Sequence, residues 1–293
     1  MHLCTLGVQA NLHSIASHCS PSDPSQPLGA SLPLHLRLLL WDCPSECDYH
    51  CQRQITNHLR EHYPDLPLHQ FHGKWPFLRL AGIQEPCSVL FSLLNFHGHY
   101  RGIQQVIHRI PDTYPLKPFY FLLGIFGMNA WVWSSIFHVR DFLFTERADY
   151  FSAGASVLYG LYNVGLRVAD SHKRNQIAIR PYVLAWTGLC AGAFLAHVYY
   201  LSFVTFSYSY NMAANVTVGI LQNLLWIYYS VTRSRDGTRG MWVWTPVFIV
   251  VYVSFAMSLE LFDFFPIADA LDAHALWHAA TVPMVFTHIF FAD

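Results

Sequence analysis

Five stretches of this chain, residues 119–139, 150–166, 181–232, 241–259 and 273–292, contain no Asp, Glu, Lys or Arg. An apolar run of about 20 residues is what a helix needs to cross the hydrocarbon core of a bilayer. Inside lipid every backbone N–H and C=O must be paired internally, which favours helices. The block 181–232 is too long for one crossing and divides at the polar, Tyr-rich FSYSYN (206–211), which makes six spans in all. A weaker seventh, short and carrying His97 and His99, occupies 84–100. The reading is an all-α membrane protein: a seven-transmembrane helix bundle over residues 81–293, preceded by a small Cys-rich region over residues 1–80.

Charge sets the orientation. With a net charge of −1 the chain offers no basic surface for nucleic acid. Its basic residues are unevenly placed. The loops 101–118, 167–180 and 233–240 hold Arg101, Arg109, Lys117, Arg167, Lys173, Arg174, Arg180, Arg233, Arg235 and Arg239, whereas the opposite loops hold only Arg140 and Arg147. Basic loops stay in the cytosol. The expectation is therefore a luminal N-terminal region, a cytosolic C-terminus, and contact with membrane lipid throughout.

Residues 1–80 include the turn-rich SPSDPSQPLG (20–29) and the run WDCPSECDYHC, with Cys43, Cys47 and Cys51, while Cys4 and Cys19 lie upstream. Zinc pairs usually have the spacing C-x2-C, so cysteines four apart with acidic residues between them fit a metal poorly. In a luminal segment Cys19, Cys43, Cys47 and Cys51 read as disulfide candidates. The first twenty residues lack the charged start and apolar core of a signal peptide. An odd number of luminal cysteines adds to the expectation that this region begins further upstream.

Polar groups at membrane depth are costly and usually line a cavity or the bundle interior. In NAWVWSSIFHVRD (129–141), Ser134 and His138 are four apart and share a helical face. Asp149 opens the third span in ERADYF, and LDAHALWH places His274 and His278 one turn apart on the seventh. Under the topology above all of them fall near the luminal ends of their helices. Three imidazoles plus an open position is a common catalytic zinc arrangement. In it His138, His274 and His278 are the ligands, Asp149 the general base and Ser134 an oxyanion donor. Plainer roles stand beside these. A histidine in a span is often a hydrogen-bonded core residue, Ser134 can bond a carbonyl of its own helix, and Asp149 can be a charge favoured by the helix dipole. Asp272 either caps the last helix or orients a ligand from behind. Glu260 and Asp263, at the luminal end of the sixth span, are lesser candidates.

The ordered set Ser-x-x-x-His, Asp eleven residues later and His-x-x-x-His on the last span resembles the pattern of the CREST superfamily of seven-helix zinc proteins, which includes alkaline ceramidases and adiponectin/progestin-type receptors. FHGKWPF (71–77), NAWVWSSIFHVRD, ADYF (148–151) and DAHALWH (272–278) are closer to one branch, the Per1-like family. The resemblance runs from about residue 40 to the end. It implies a hydrolase that remodels glycosylphosphatidylinositol (GPI) anchors, with Zn2+ as cofactor and the lipid of GPI-anchored proteins as substrate. The reaction it implies is removal of the sn-2 acyl chain, in the endoplasmic reticulum membrane or alternatively the Golgi. A receptor or scaffold with a structural zinc, and a ceramidase-like amide hydrolase, are the rival readings.

Overall fold

The computed structural model describes residues 32–172, 180–238, 240–261 and 263–288, so Cys4 and Cys19 lie outside the described residues. All seven segments read from the sequence are helical: α3 (Pro86–Arg109), α4 (Lys117–Val139), α5 (Leu143–His172), α6 (Arg180–Tyr199), α7 (Tyr208–Arg235), α8 (Thr245–Leu261) and α9 (Ala273–His288). Two earlier helices, α1 (Leu34–Leu38) and α2 (Cys43–His62), precede them. Among the described residues extended pairing is confined to isolated bridges in loops.

Three segments are long and apolar enough to cross a membrane by length and composition: Lys117–Val139, Pro181–Val204 and Met241–Leu261. The other four fall short for visible reasons. Helix α9 has 16 described residues, and between its charged ends α5 is diluted by Ser, Gly, Tyr and Asn. Helices α3 and α7 carry Asn, Gln and His or Arg along their length. The outward side chains of the apolar helices are large and hydrophobic. Leu195 and Phe203 are 67% and 77% exposed, and Val251 and Phe255 are 63% and 73% exposed. Contiguous apolar surface of this kind needs lipid or protein against it.

The structure divides into two compact units. One gathers residues up to Cys87 together with 138–141 and 263–272. Asp42 starts α2 as a helix cap, accepting from the Ser45 amide at 2.9 Å, with a proline in the first turn. His72 and Gly73, both at positive φ, turn the chain between Phe71 and Lys74, whose amides and carbonyls pair at 2.7 and 3.0 Å. Around Trp41 the unit is stapled by guanidiniums: Arg79 and Arg140 lie 4.0 and 3.9 Å from its ring, and Arg79 also pairs with Glu46 at 2.5 Å. Asp269 receives Arg53 and Arg60 at 2.8 and 2.6 Å, and Trp75 donates to Asp263 at 2.7 Å.

Cys43, Cys47 and Cys51 all lie on α2, one turn apart. Cβ atoms one helical turn apart are about 5–6 Å from each other, whereas a disulfide brings them to about 3.8 Å, so neighbours in this row do not bridge. Cys51 is disulfide-bonded. Cys47 is a free thiol, which corrects its assignment as a disulfide residue.

The other unit holds residues 88–137, 142–262 and 273 onward. Helix α5 packs against α6 and α7, α7 against α8, and α8 against α9. Val164 and Leu166 of α5 are almost fully buried. Several polar groups inside are tied to backbone carbonyls, which keeps them paired away from water. Tyr159 and Asn163 of α5 donate to the Phe119 carbonyl at 3.2 and 3.1 Å, and Tyr252 of α8 donates to the Ala280 carbonyl at 2.8 Å. The expected break within 206–211 falls at Thr205–Ser207. A π-helical turn over Tyr200–Val204 ends in extended Thr205, and Ser207 caps α7.

Candidate metal centre

His138 occupies the last turn of α4 and is 2% exposed. Its Nδ1 donates to Glu85 Oε2 at 2.7 Å, and the Glu85 amide donates back to the His138 carbonyl at 3.0 Å. The Gln84 amide does the same for Val139 at 3.1 Å. The segment before α3 thus satisfies carbonyls that the end of α4 would leave unpaired. Lys74, from the KWPF stretch, sits 3.9 Å from Glu85 and 2.5 Å from Asp141.

His274 and His278 rise from the first turns of α9, their ring centroids 4.4 Å apart. His274 Nδ1 donates to Glu260 Oε2 at 2.7 Å. His278, buried edge-on against Trp131, has its Nδ1 3.0 Å from Ser92 Oγ. Ser92 is fully buried and also touches the Ser88 carbonyl at 2.7 Å and Ser134 Oγ at 3.1 Å. A hydroxyl has one hydrogen. With that hydrogen given to the Ser88 carbonyl, Ser92 accepts from both Ser134 and His278, which places the imidazole proton on Nδ1. Asn95, also fully buried, holds this turn by donating to the His278 carbonyl at 2.9 Å.

Each of the three imidazoles therefore commits Nδ1 to an oxygen, and Nε2 is the lone-pair nitrogen it can offer. The ligand atoms of His138, His274 and His278 lie within 4.8 Å of one another, so this group can hold a metal ion. Three imidazoles, two of them backed by carboxylates, match the donor chemistry of a zinc site. Ser134 is tied to the same network through Ser92 and not to a carbonyl of its own helix. Asp149 lies half-buried in the second turn of α5, and Asp272 is buried directly before α9; neither belongs to the metal-holding group.

The backing residues are what the sequence reading missed. The sequence alone ranks Glu260 as a lesser candidate and does not single out Glu85 or Ser92. The available signal was position: Glu260 is the first acid after an uncharged span, and Glu85 immediately precedes another.

The model of the Per1-like family matches residues 33–292. A protein from Schizosaccharomyces pombe named Protein PER1 homolog is 48% identical over 91% of this chain and 77% of its own length. Post-GPI attachment to proteins factor 3 of Drosophila melanogaster is 39% identical over 85% of this chain and 73% of its own. The GPI-specific phospholipase A2-like PGAP3 of Danio rerio is 36% identical over 87% and 77%. No solved structure matches.

Proposed function

The chain belongs to the Per1-like family, and from that premise we propose that it hydrolyses the sn-2 acyl ester of the phosphatidylinositol that anchors GPI-linked proteins. The observation that carries the reading is the convergence of His138, His274 and His278, in a chain whose relatives are named for GPI attachment and phospholipase activity. In this reading the seven helices of residues 81–293 all span the membrane. Residues 1–80 form a luminal head, and the site faces the luminal leaflet of the endoplasmic reticulum or, alternatively, the Golgi, where the anchor lipid resides.

His138, His274 and His278 would hold zinc through Nε2. When bound, zinc supplies a Lewis acid that brings the pKa of a coordinated water toward about 7. Glu85 and Glu260 fix the tautomer and aim of their imidazoles, and Ser92 does so for His278. Asp149 takes the proton of the attacking water as its oxygen bonds to the ester carbonyl carbon, and returns it to the glycerol oxygen when the acyl C–O bond breaks. The products are a free fatty acid and a lyso-lipid anchor. At rest Ser134 gives its hydrogen to Ser92; rotation about χ1 turns that donor toward the developing oxyanion.

The test is lipid analysis of GPI anchors in null cells expressing each variant at matched levels. Asp149→Asn keeps shape and the three histidines, and anchors should retain the original sn-2 chain. Ser134→Ala should slow release by roughly 10²–10³-fold. Wild-type lyso-anchor formation by Asp149→Asn would remove the base assignment, and normal anchors in every His, Asp149 and Ser134 variant would remove the hydrolase reading.

A further inference from the structure

A second polar cluster lies far from Ser134 and Asp149 along their own helices. Tyr120 precedes Ser134 on α4 by 14 residues, about 21 Å of helix, and Arg167 follows Asp149 on α5 by 18, about 27 Å. By sequence Arg167 belongs to a basic loop, yet α5 continues past it to His172. Its Nη1 donates to the Tyr120 hydroxyl, and its guanidinium carbon lies 5.2 Å from the Tyr229 ring centroid. Its Nε, shielded from solvent, has no hydrogen-bond partner, and among the described residues no carboxylate pairs with it.

Tyr229 and Ser230 are buried on α7, a helix that packs against α5. Ser230 is 0% exposed, and among the described residues its hydroxyl has no partner. Arg233 falls one turn after Tyr229 on the same face, and its Nε is likewise shielded and unpartnered. Within about a turn of Tyr229 the packed helices α5 and α7 thus carry two guanidiniums and an orphaned hydroxyl, with the Tyr120 hydroxyl on Arg167, and among the described residues no carboxylate pairs with either guanidinium. Like charges in a shielded setting repel, and buried donors without acceptors are costly. A tetrahedral oxyanion answers both needs, since its oxygens accept from guanidinium forks and hydroxyls together.

We propose that Arg167, Arg233, Ser230 and the Tyr120 hydroxyl form a binding site for a phosphate-class oxyanion, separate from the three histidines. The phosphate of an anionic phospholipid headgroup and free phosphate share this chemistry. The purified full chain would be placed in nanodiscs of phosphatidylcholine alone or with phosphatidylinositol, and inorganic phosphate titrated into the neutral set. The readouts are the unfolding midpoint and the lipid retained in native mass spectrometry. A rise in midpoint with inorganic phosphate identifies a free-anion site, and a rise with phosphatidylinositol alone identifies a headgroup site. Either response should weaken about tenfold or more in Arg167→Lys, which keeps the charge but loses the fork. It should also weaken in Arg233→Gln and Ser230→Ala, which leave Arg167 and the α4–α5 core intact. No rise with either anion overturns the proposal, as does a response unchanged in Arg233→Gln and Ser230→Ala.

Discussion

An imidazole can coordinate through either nitrogen, so a metal site built on histidine depends on whatever fixes the other one. Here Glu85 and Glu260 do this for His138 and His274 through contacts of 2.7 Å. Glu85→Gln and Glu260→Gln preserve size and can still accept from Nδ1, but remove the charge that strengthens the imidazole as a donor. Each should weaken zinc affinity by roughly 10–100-fold, measured by competition with a chelator on the purified protein, and with fold retained. Zinc affinity equal to wild type in both variants would reduce these carboxylates to packing. The two histidines of α9 were legible because spacing of four puts them on one face, and His138 because Ser134 accompanies it. Glu85 and Ser92 were not. They reach their histidines across 53 and 186 residues of sequence, and a serine in an apolar span has no periodic signature.

Helices in lipid approach closely only where side chains are small, and the α3–α4 contact shows the limit. A Cβ added at Gly127 would stand 2.3 Å from the His99 ring, and one at Gly124 would stand 2.4 Å from Ile103. Gly124→Ala and Gly127→Ala should each cost about 1–3 kcal/mol by forcing these neighbours aside, measured by denaturant unfolding in detergent. Gly188→Ala and Gly192→Ala on α6 meet nothing within 4 Å and should be neutral or slightly stabilising. Equal losses at all four positions would contradict the packing. The loop clamp at Asp269 is a separate element with its own pH signature. Burial pushes this carboxyl up, but Arg60 and Arg53 outweigh burial and hold it below the usual carboxylate range. Its contribution is then present above the ordinary value of about 3.9 and fades as pH falls through the lower folded value. The gap in melting temperature between wild type and Asp269→Asn should stay constant from pH 7 to 5 and narrow below about 4. A gap that changes between pH 7 and 5 would refute the clamp. Helix positions were readable from uncharged runs alone; this clamp was not, because it joins α2 to a loop 209 residues further along the chain.

At the scale of the molecule, the positions of seven helices were available from the sequence because lipid selects for uncharged length, a one-dimensional property. Which way they thread is a different question, for which the sequence signal is the placement of basic residues near helix ends. Ten such residues fall in one set of loops and two in the other. Of the two, Arg140 is engaged with the Trp41 ring and Ser45, so it serves packing within its unit. Arg167 is counted among the ten yet sits inside α5, as Arg101 does inside α3 and Arg233 inside α7; the rule counts basic residues near the ends of spans as well as in loops, so the asymmetry survives. The expected threading puts the segment around α2 in the lumen and the C-terminus in the cytosol. The carbonyl end of α4, with His138, then falls at the luminal face. In sealed microsomes, protease should remove a tag fused after Asp293 and leave α2 intact until detergent is added. A non-reducing gel should show the Cys51 disulfide, which only an oxidising compartment maintains. A protected C-terminal tag would invert the threading and put the histidines on the cytosolic face. That placement removes the luminal anchor lipid from reach, so one protease digestion bears on the substrate as well as on the topology.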